Sequence, residues 1–165
     1  MDTPTTQLLL DSPIGTCLLE AQEDKVVRIQ FGDALEATYF SSKMLEKVAK
    51  ALQEYFAGKR EDFDPAWFLF QGTAFQQQVW QALWNIPYGK TRSYKEIGIL
   101  IDNKKAVRAI GRCVGNNPLP IVVPCHRVIG SDGTLTGFAY GLETKRWLLE
   151  LEQSKHYGKQ QSLFL

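Results

Sequence analysis

The residues best suited to chemistry lie together in the second half of the chain. Cys125 and His126 are adjacent, with Pro124 before them and Arg127 after them. A cysteine is a good nucleophile only as its thiolate, and a nearby base or cation makes that thiolate easier to form. His126 and Arg127 could each give this help on the rigid bend that Pro124 predicts. The residues alone also allow another interpretation, in which Cys125 and His126 are buried structural residues.

The other two cysteines are predicted to be structural. Cys17 falls within an apolar strand pattern, and Cys113 falls in a helical pattern with no base beside it. The three cysteines are widely spaced and contain no CxxC pair, so a disulfide framework and a zinc ribbon are both disfavoured.

The first third of the chain alternates apolar runs with turn signals. The runs Gln7 to Leu10, Thr16 to Ala21 and Val26 to Phe31 predict a small antiparallel sheet. Apolar residues then recur at helical spacing from Met44 to Phe56 and stop at Gly58, which predicts one helix covering a face of that sheet.

The pattern changes near Gly72. Beyond it, Thr73 with Gln76 and Ser93 with Glu96 have the spacing of capping boxes, each opening a helix. We therefore expect two domains, residues 1–72 and 73–165, with a frayed tail over residues 153–165.

A pair of short helices follows in the second domain. The helix that opens at Ser93 is expected to break at Asp102-Asn103, and the next helix to begin at once. That helix would place Val107, Ile110 and Val114 on one face and Lys104, Arg108 and Arg112 on the other. Two short helices with a tight turn predict a helix-turn-helix. Ile121 to Val123 is predicted to be a strand, followed by a bend and a hairpin.

Charge is unevenly distributed along the chain. The segment from Gly89 to Arg112 has seven basic residues against two acidic ones, although the whole chain carries a net charge of +1. Such a segment could face DNA phosphates, or it could be an ordinary solvated helical surface. The first residues do not resemble a secretion signal, and no apolar run is long enough to cross a bilayer, so we expect a cytoplasmic protein.

The segment from Ile121 to Gly130 closely resembles the active-site signature of the O6-alkylguanine-DNA alkyltransferases. The resemblance spans residues 73–152 and continues, in the same order, through Phe75 to Trp80, Pro87-Tyr88-Gly89, Ser93-Tyr94, Ala106 to Gly111, Asn117-Pro118 and Lys145 to Leu149 with Glu152. It implies an α/β (α+β) fold: a ribonuclease-H-like N-terminal sheet-and-helix domain, then a mainly helical C-terminal domain with a winged helix-turn-helix.

The resemblance also implies a reaction. Cys125 would take the alkyl group from O6 of alkylguanine in DNA, irreversibly and once per molecule, with O4-alkylthymine as a second candidate substrate. His126 would activate the thiol through a water, and Glu152 would hold the imidazole in the useful tautomer. Asn117 would brace the bend, and Tyr94 would protonate N3 of the departing guanine.

The implied partner is double-stranded DNA carrying O6-alkylguanine. The protein would bind in the minor groove with the damaged nucleotide flipped out, and Arg108 would intercalate in its place. Lys95, Asn103 and Ser131 occupy family positions that contact the DNA backbone, although Lys95 and Ser131 equally suit an ordinary surface. We expect a monomer without membrane contact, and the sequence leaves self-association on DNA open.

The pocket for the flipped base is expected to use backbone groups near Val128 and the loop Phe138-Ala139-Tyr140. Tyr140 stands where many family members have glycine, so the pocket should be narrow, and Phe138 replaces the more usual tyrosine. No cofactor is expected, because the substrate carries its own electrophile. No metal is expected either, because zinc-binding relatives use additional Cys and His residues in an N-terminal domain that here has only Cys17.

Two other classes remain as alternatives. A cysteine hydrolase also uses cysteine, histidine and a carboxylate, but its histidine usually lies far from the cysteine in sequence. A non-catalytic DNA binder could be a helix-turn-helix regulator or a lesion-flagging relative of the alkyltransferases. Those relatives usually have tryptophan at the position of Cys125.

Overall fold

The structure is a computed structural model that describes residues 4–38 and 40–157, with the backbone alone for residues 154–157. The chain divides into two compact units, one ending at Gln71 and the other beginning at Gly72. Each unit has its own buried core. None of the described helices combines the length and the apolar character that crossing a bilayer requires.

The first unit is built on the antiparallel sheet that the apolar runs predict. Its strands are β1 (Thr5–Ser12), β2 (Gly15–Gln22) and β3 (Lys25–Gly32), paired in the order β1-β2-β3. The strands extend beyond the apolar runs because polar residues at the strand ends continue the backbone ladder.

One amphipathic helix covers this sheet. Helix α1 (Lys43–Phe56) is capped by Ser42, whose hydroxyl accepts a hydrogen bond from the backbone N–H of Leu45. It packs against all three strands, and a 3-10 turn follows at Pro65–Trp67. Cys17 is fully buried in this unit, where burial raises the pKa of its thiol to about 12. That thiol is therefore unreactive near neutral pH, as its position in a strand predicts.

The second unit is mainly helical. It contains α2 (Ala74–Trp84), α3 (Tyr94–Leu100), α4 (Val107–Gly115) and α5 (Leu142–Tyr157). Helices α2, α3 and α4 pack against one another. A short parallel pair joins β4 (Arg92–Ser93) to β5 (Val128–Ile129).

Both predicted capping boxes are present. The Thr73 hydroxyl accepts from the backbone N–H of Gln76, and the Gln76 side chain accepts from the backbone N–H of Thr73. Ser93 and Glu96 make the same reciprocal pair at the start of α3. These local bonds fix where the helices begin. They can be predicted from the sequence because each motif lies within four consecutive residues.

The turn between α3 and α4 is longer than the sequence pattern predicts. Asp102 adopts a left-handed backbone conformation with φ of 54°, which ends α3 at the predicted place. The turn is then closed by a hydrogen bond from the Asn103 N–H to the Gly98 carbonyl, so Lys104 lies in the turn and α4 begins only at Val107. Val107, predicted to share the buried face, is 39% exposed.

The expected strand at Ile121 to Val123 is wrong, and so is the hairpin after it. Ile121 has φ of 73°, which a strand does not allow, and the Val123 N–H donates to the Leu119 carbonyl, 2.8 Å away, within a tight turn. Strand β5 instead pairs in parallel with β4. Apolar β-branched residues favoured a strand, but local hydrogen bonds form a turn here.

The prediction of a frayed tail from residue 153 is wrong for residues 153–157. Helix α5 continues to Tyr157, and Gln153 is buried, with its side-chain amide donating to the Gly89 carbonyl at 2.6 Å. This partner lies 64 residues earlier in the chain, so no residue near Gln153 in the sequence indicates the bond. Residues 158–165 of the predicted tail lie outside the described residues.

Candidate active site

Cys125, His126 and Arg127 form one 3-10 turn. The turn is closed by a hydrogen bond of 2.9 Å from the Arg127 N–H to the Pro124 carbonyl. With three residues per turn, successive side chains point in three directions. Cys125 lines a pocket, whereas His126 and Arg127 are buried in the unit.

Glu152, on α5, is the buried anion that meets both of those side chains. Its Oε1 lies 2.7 Å from His126 Nε2, and Arg127 donates from Nε to Oε2 and from Nη2 to Oε1, each at 2.9 Å. The Gly89 N–H donates to Oε2 at 3.2 Å. Burial alone would raise the pKa of Glu152, but His126 and Arg127 outweigh it and hold that pKa well below its usual range. Glu152 is therefore ionised.

His126 is poised as a neutral base. Burial lowers its pKa, and the nearby charges of Arg127 and Lys145 act in the same direction, outweighing the opposite effect of Glu152. A neutral imidazole that donates its Nε2 proton to a carboxylate has its lone pair on Nδ1. In that tautomer, Nδ1 is the ring nitrogen that can accept a proton.

Cys125 is a thiol at rest. It is 5% exposed, and burial raises its pKa more than a hydrogen bond with Asn117 and the charge of Lys145 lower it. A base must remove the proton when the sulfur reacts, and the adjacent His126 is the neutral base of this turn.

Asn117 braces the segment that leads into the turn. Its side-chain amide donates to the Val123 carbonyl at 2.7 Å, and its side-chain oxygen accepts from the Leu119 N–H at 3.0 Å. These bonds enclose Ile121, a β-branched residue held in the left-handed region at a cost of about 1–3 kcal/mol. Asn117 thus fixes the backbone on which Cys125 sits.

Cys125 opens onto a pocket of about 150 Å³. This is small beside the roughly 300–1,000 Å³ of pockets for drug-sized ligands, so it suits one compact group better than a peptide segment. Of the residues predicted for the site, Tyr94, Asn117, Cys125, Phe138, Ala139 and Tyr140 line it. The remaining lining comes from Pro120, Gly137 and α4.

Val128 does not line this pocket, although it was predicted to. Its side chain is fully buried, and its carbonyl accepts a hydrogen bond from Lys145 Nζ at 2.5 Å. Tyr94 does line the pocket, and its hydroxyl donates to the Thr136 carbonyl at 3.4 Å. The rings of Phe138 and Tyr140 meet edge to face, with centroids 5.8 Å apart.

The four residues predicted to contact DNA are all exposed. Lys95 lies on α3, Asn103 in the following turn, Arg108 on α4 and Ser131 in the loop after β5. None of them lines the pocket. Helix α4 connects the two regions, because Gly111, three residues after Arg108, lines the pocket.

Arg127 has a role that the sequence pattern did not reveal. Its guanidinium binds Glu152 and donates to the Ile86 carbonyl at 2.7 Å, and it lies 5.5 Å from the centre of the Tyr88 ring. It therefore stabilises the carboxylate, and the suggestion that it acts directly on the thiol does not fit these contacts. Among the residues with described side chains, no group of three His, Cys, Asp or Glu is arranged to hold a metal ion.

Lys145 was also missed as a site residue. It is 0% exposed, and its Nζ contacts three backbone carbonyls beside the pocket. One sequence signal could have found it. Lys145 precedes the buried Leu148 and Leu149 by three and four residues, so it lies on the apolar face of α5.

Two family models match the chain. The 6-O-methylguanine DNA methyltransferase DNA-binding domain matches residues 74–154, and the ribonuclease-like domain of the same family matches residues 7–66. The methylated-DNA–protein-cysteine methyltransferase of Methanosarcina barkeri is 43% identical over 88% of this chain and 96% of its own length. The protein of the same name from Haemophilus influenzae is 42% identical, over 90% of this chain and 86% of its own length.

Solved structures show the same likeness. The O6-methylguanine methyltransferase of Mycobacterium tuberculosis has a TM-score of 0.82 at 39% identity, covering 92% of this chain and 94% of that one. M. tuberculosis OGT in complex with DNA has a TM-score of 0.81 at 41% identity, covering 92% of this chain and 93% of that one.

Replacing Arg127 by methionine should destabilise the protein by about 3–5 kcal/mol, because Glu152 would be left buried without its guanidinium partner. Arg60→Met is the matched control, since Arg60 also pairs with a glutamate, Glu54, but their side chains are 29% and 32% exposed. That change should cost about 1 kcal/mol or less. Urea unfolding followed by tryptophan fluorescence and circular dichroism measures both, and equal losses would contradict the role given to Arg127.

Proposed function

The chain belongs to the 6-O-methylguanine DNA methyltransferase family, and we propose that it repairs DNA by moving the alkyl group of O6-alkylguanine onto its own Cys125. The observation that carries the choice of residue is the placement of the three cysteines. Burial raises the thiol pKa of all three, but Cys125 lines the pocket and adjoins a base, whereas Cys17 and Cys113 do neither. The activity is that of a methylated-DNA–protein-cysteine methyltransferase.

The proposed step is an in-line displacement at the alkyl carbon. His126 takes the thiol proton, directly or through a water, and the sulfur forms a bond to the carbon. The bond from carbon to O6 breaks, and its electron pair stays on guanine. Tyr94 donates a proton to N3 of the purine, which balances the proton taken by His126. The observed hydrogen bond between His126 and Glu152 and the position of Tyr94 on the pocket support these roles.

The product would be a thioether, which has no good leaving group. Each molecule would then act once, and the reaction needs no cofactor because the substrate supplies the electrophilic carbon. A hydrolase would instead regenerate its thiol. Turnover number therefore separates this proposal from the cysteine-hydrolase alternative.

We further propose that α4 enters the minor groove and that Arg108 occupies the gap left by the flipped nucleotide. The support is geometric: Arg108 is exposed on α4, and Gly111 of the same helix lines the pocket. Lys95, Asn103 and Ser131 are exposed and are the proposed contacts to the DNA backbone. We propose that the protein acts as a monomer.

A reaction that consumes a reduced thiol suits a reducing compartment, and we propose that the protein works in the cytoplasm. Cys17, Cys113 and Cys125 are all free thiols in the structure.

Incubation with a duplex containing O6-methylguanine tests the proposal. We expect a gain of one methyl group per chain, confined to the peptide that contains Cys125 and absent from Cys125→Ala. Mass spectrometry of the intact protein and its peptides measures both. Methylation of Cys17 or Cys113, or more than one repaired lesion per chain, would refute the mechanism. A duplex with O4-methylthymine in place of the modified guanine determines whether that base is also a substrate.

Tyr140 should disfavour large O6 substituents, because its ring forms part of the pocket wall. Tyr140→Gly should raise the rate with O6-benzylguanine relative to O6-methylguanine by about tenfold or more. Tyr140→Phe is the matched control, since it keeps the ring and should leave the ratio near that of the unaltered protein. Single-turnover rates give the ratio, and equal benzyl and methyl rates before any substitution would contradict a narrow pocket.

Arg108→Ala should slow repair of duplex DNA by about tenfold, because the vacated stack would no longer be filled. Repair of the same lesion in a single strand should change much less, since no base pair is opened there. Arg112→Ala, which removes the same charge one turn later on α4, should affect both substrates to a similar extent. Equal effects of Arg108→Ala on duplex and single strand would argue against intercalation.

A further inference from the structure

We propose that Lys145 is a positioning residue that fixes the loop wall of the base pocket, and that its positive charge is required for this. The inference rests on the proposed function, because it assigns the wall a role in holding the alkylated base. It concerns the geometry of the pocket, separately from the reactivity of the thiol.

Lys145 joins three parts of the second unit. Its buried Nζ donates to the carbonyls of Val128 at 2.5 Å, Thr136 at 2.9 Å and Gly137 at 3.3 Å. Val128 belongs to β5, Lys145 belongs to α5, and the other two residues belong to the loop between them. One side chain therefore holds the loop against both a strand and a helix.

The held loop is the pocket wall itself. Residues 137–140 all line the pocket, and Thr136 directly precedes them. The Thr136 carbonyl also accepts from the Tyr94 hydroxyl. The position of this carbonyl therefore affects both the wall and Tyr94, the proposed acid.

An ammonium group is well suited to this task. It is compact and has three donors, which match three carbonyl acceptors. Hydrogen bonds from a charged donor are roughly twice as strong as neutral ones, and a buried ammonium without acceptors would be strongly disfavoured. A neutral side chain of similar length would fill the space without holding the carbonyls.

The charge of Lys145 is sensitive to pH. Burial lowers the pKa of Lys145 to about 8, and the titratable groups that interact with its charge are Cys125 and His126 of the 3-10 turn. The ammonium is present below that pH and is lost as the pH rises through it. Its hold on the loop should weaken over the same range.

The charge of Lys145 also favours the thiolate of Cys125, so a useful test must separate the wall from the sulfur. Two rates measured on the same protein do this. One is methyl transfer from an O6-methylguanine duplex at subsaturating concentration. The other is alkylation of Cys125 by iodoacetamide, which needs the thiolate but no guanine in the pocket. Peptide mass spectrometry reads both at Cys125. Because the thiol proton must leave in both reactions, the ratio of the two rates removes the effect of how easily it leaves.

Lys145→Met should lower this ratio by about tenfold or more, because a small displacement of the wall misplaces the base. Lys50→Met, at an exposed lysine on α1, is the matched control and should leave the ratio unchanged. In the protein without substitution, the ratio should fall as the pH is raised from about 7 to about 9. If Lys145→Met fails to fold, this pH series alone decides.

Two results would overturn this inference but leave the proposed function intact. One is a ratio of methyl transfer to iodoacetamide alkylation that changes by less than about twofold in folded Lys145→Met. The other is a ratio that does not depend on pH in the unsubstituted protein. A third result has a different meaning. If iodoacetamide labels Cys125 but the lesion duplex never methylates it, the proposed function fails, and this inference fails with it.

Discussion

The buried carboxylate of Glu152 is the interaction on which the second unit depends. A full negative charge lies in the core because His126, Arg127 and the Gly89 N–H all bind it. These partners come from the 3-10 turn and from the loop after α2, whereas Glu152 comes from α5. One anion therefore connects three parts of the fold and also orients the imidazole, so stability and chemistry rely on the same group.

The resting state of the site follows from this arrangement. Burial keeps His126 neutral and Cys125 protonated, so the sulfur is not a standing nucleophile. For a protein that one alkyl group would consume, a protonated thiol at the foot of a small pocket limits loss to stray electrophiles. The proton would leave when an electrophilic carbon small enough for the pocket reaches the sulfur and His126 accepts the proton.

Features governed by near neighbours could be predicted from the sequence, including the three strands, α1 and the two capping boxes. Prediction from the sequence pattern failed where the structure depends on a hydrogen bond to a side chain or to a residue distant in sequence. Ile121 to Val123 looks like a strand, but Asn117 supplies hydrogen bonds that a neighbouring strand would otherwise supply. The contacts of Arg127 and Gln153 were unpredictable, because their partners Ile86 and Gly89 lie 41 and 64 residues away in sequence. Of these residues, Lys145 is the one whose burial could have been predicted from the sequence, because it is a cation on the apolar face of a helix.

The 3-10 turn at Cys125–Arg127 places the proposed nucleophile, the proposed base and the cation that pairs with Glu152 on three consecutive residues. In such a turn each residue advances the direction of the side chain by about 120°. Adding or deleting one residue would therefore rotate every following side chain into its neighbour's place, exchanging three roles at once. Related chains should consequently vary in length in the exposed loop at residues 131–134, and should keep this segment at a constant length.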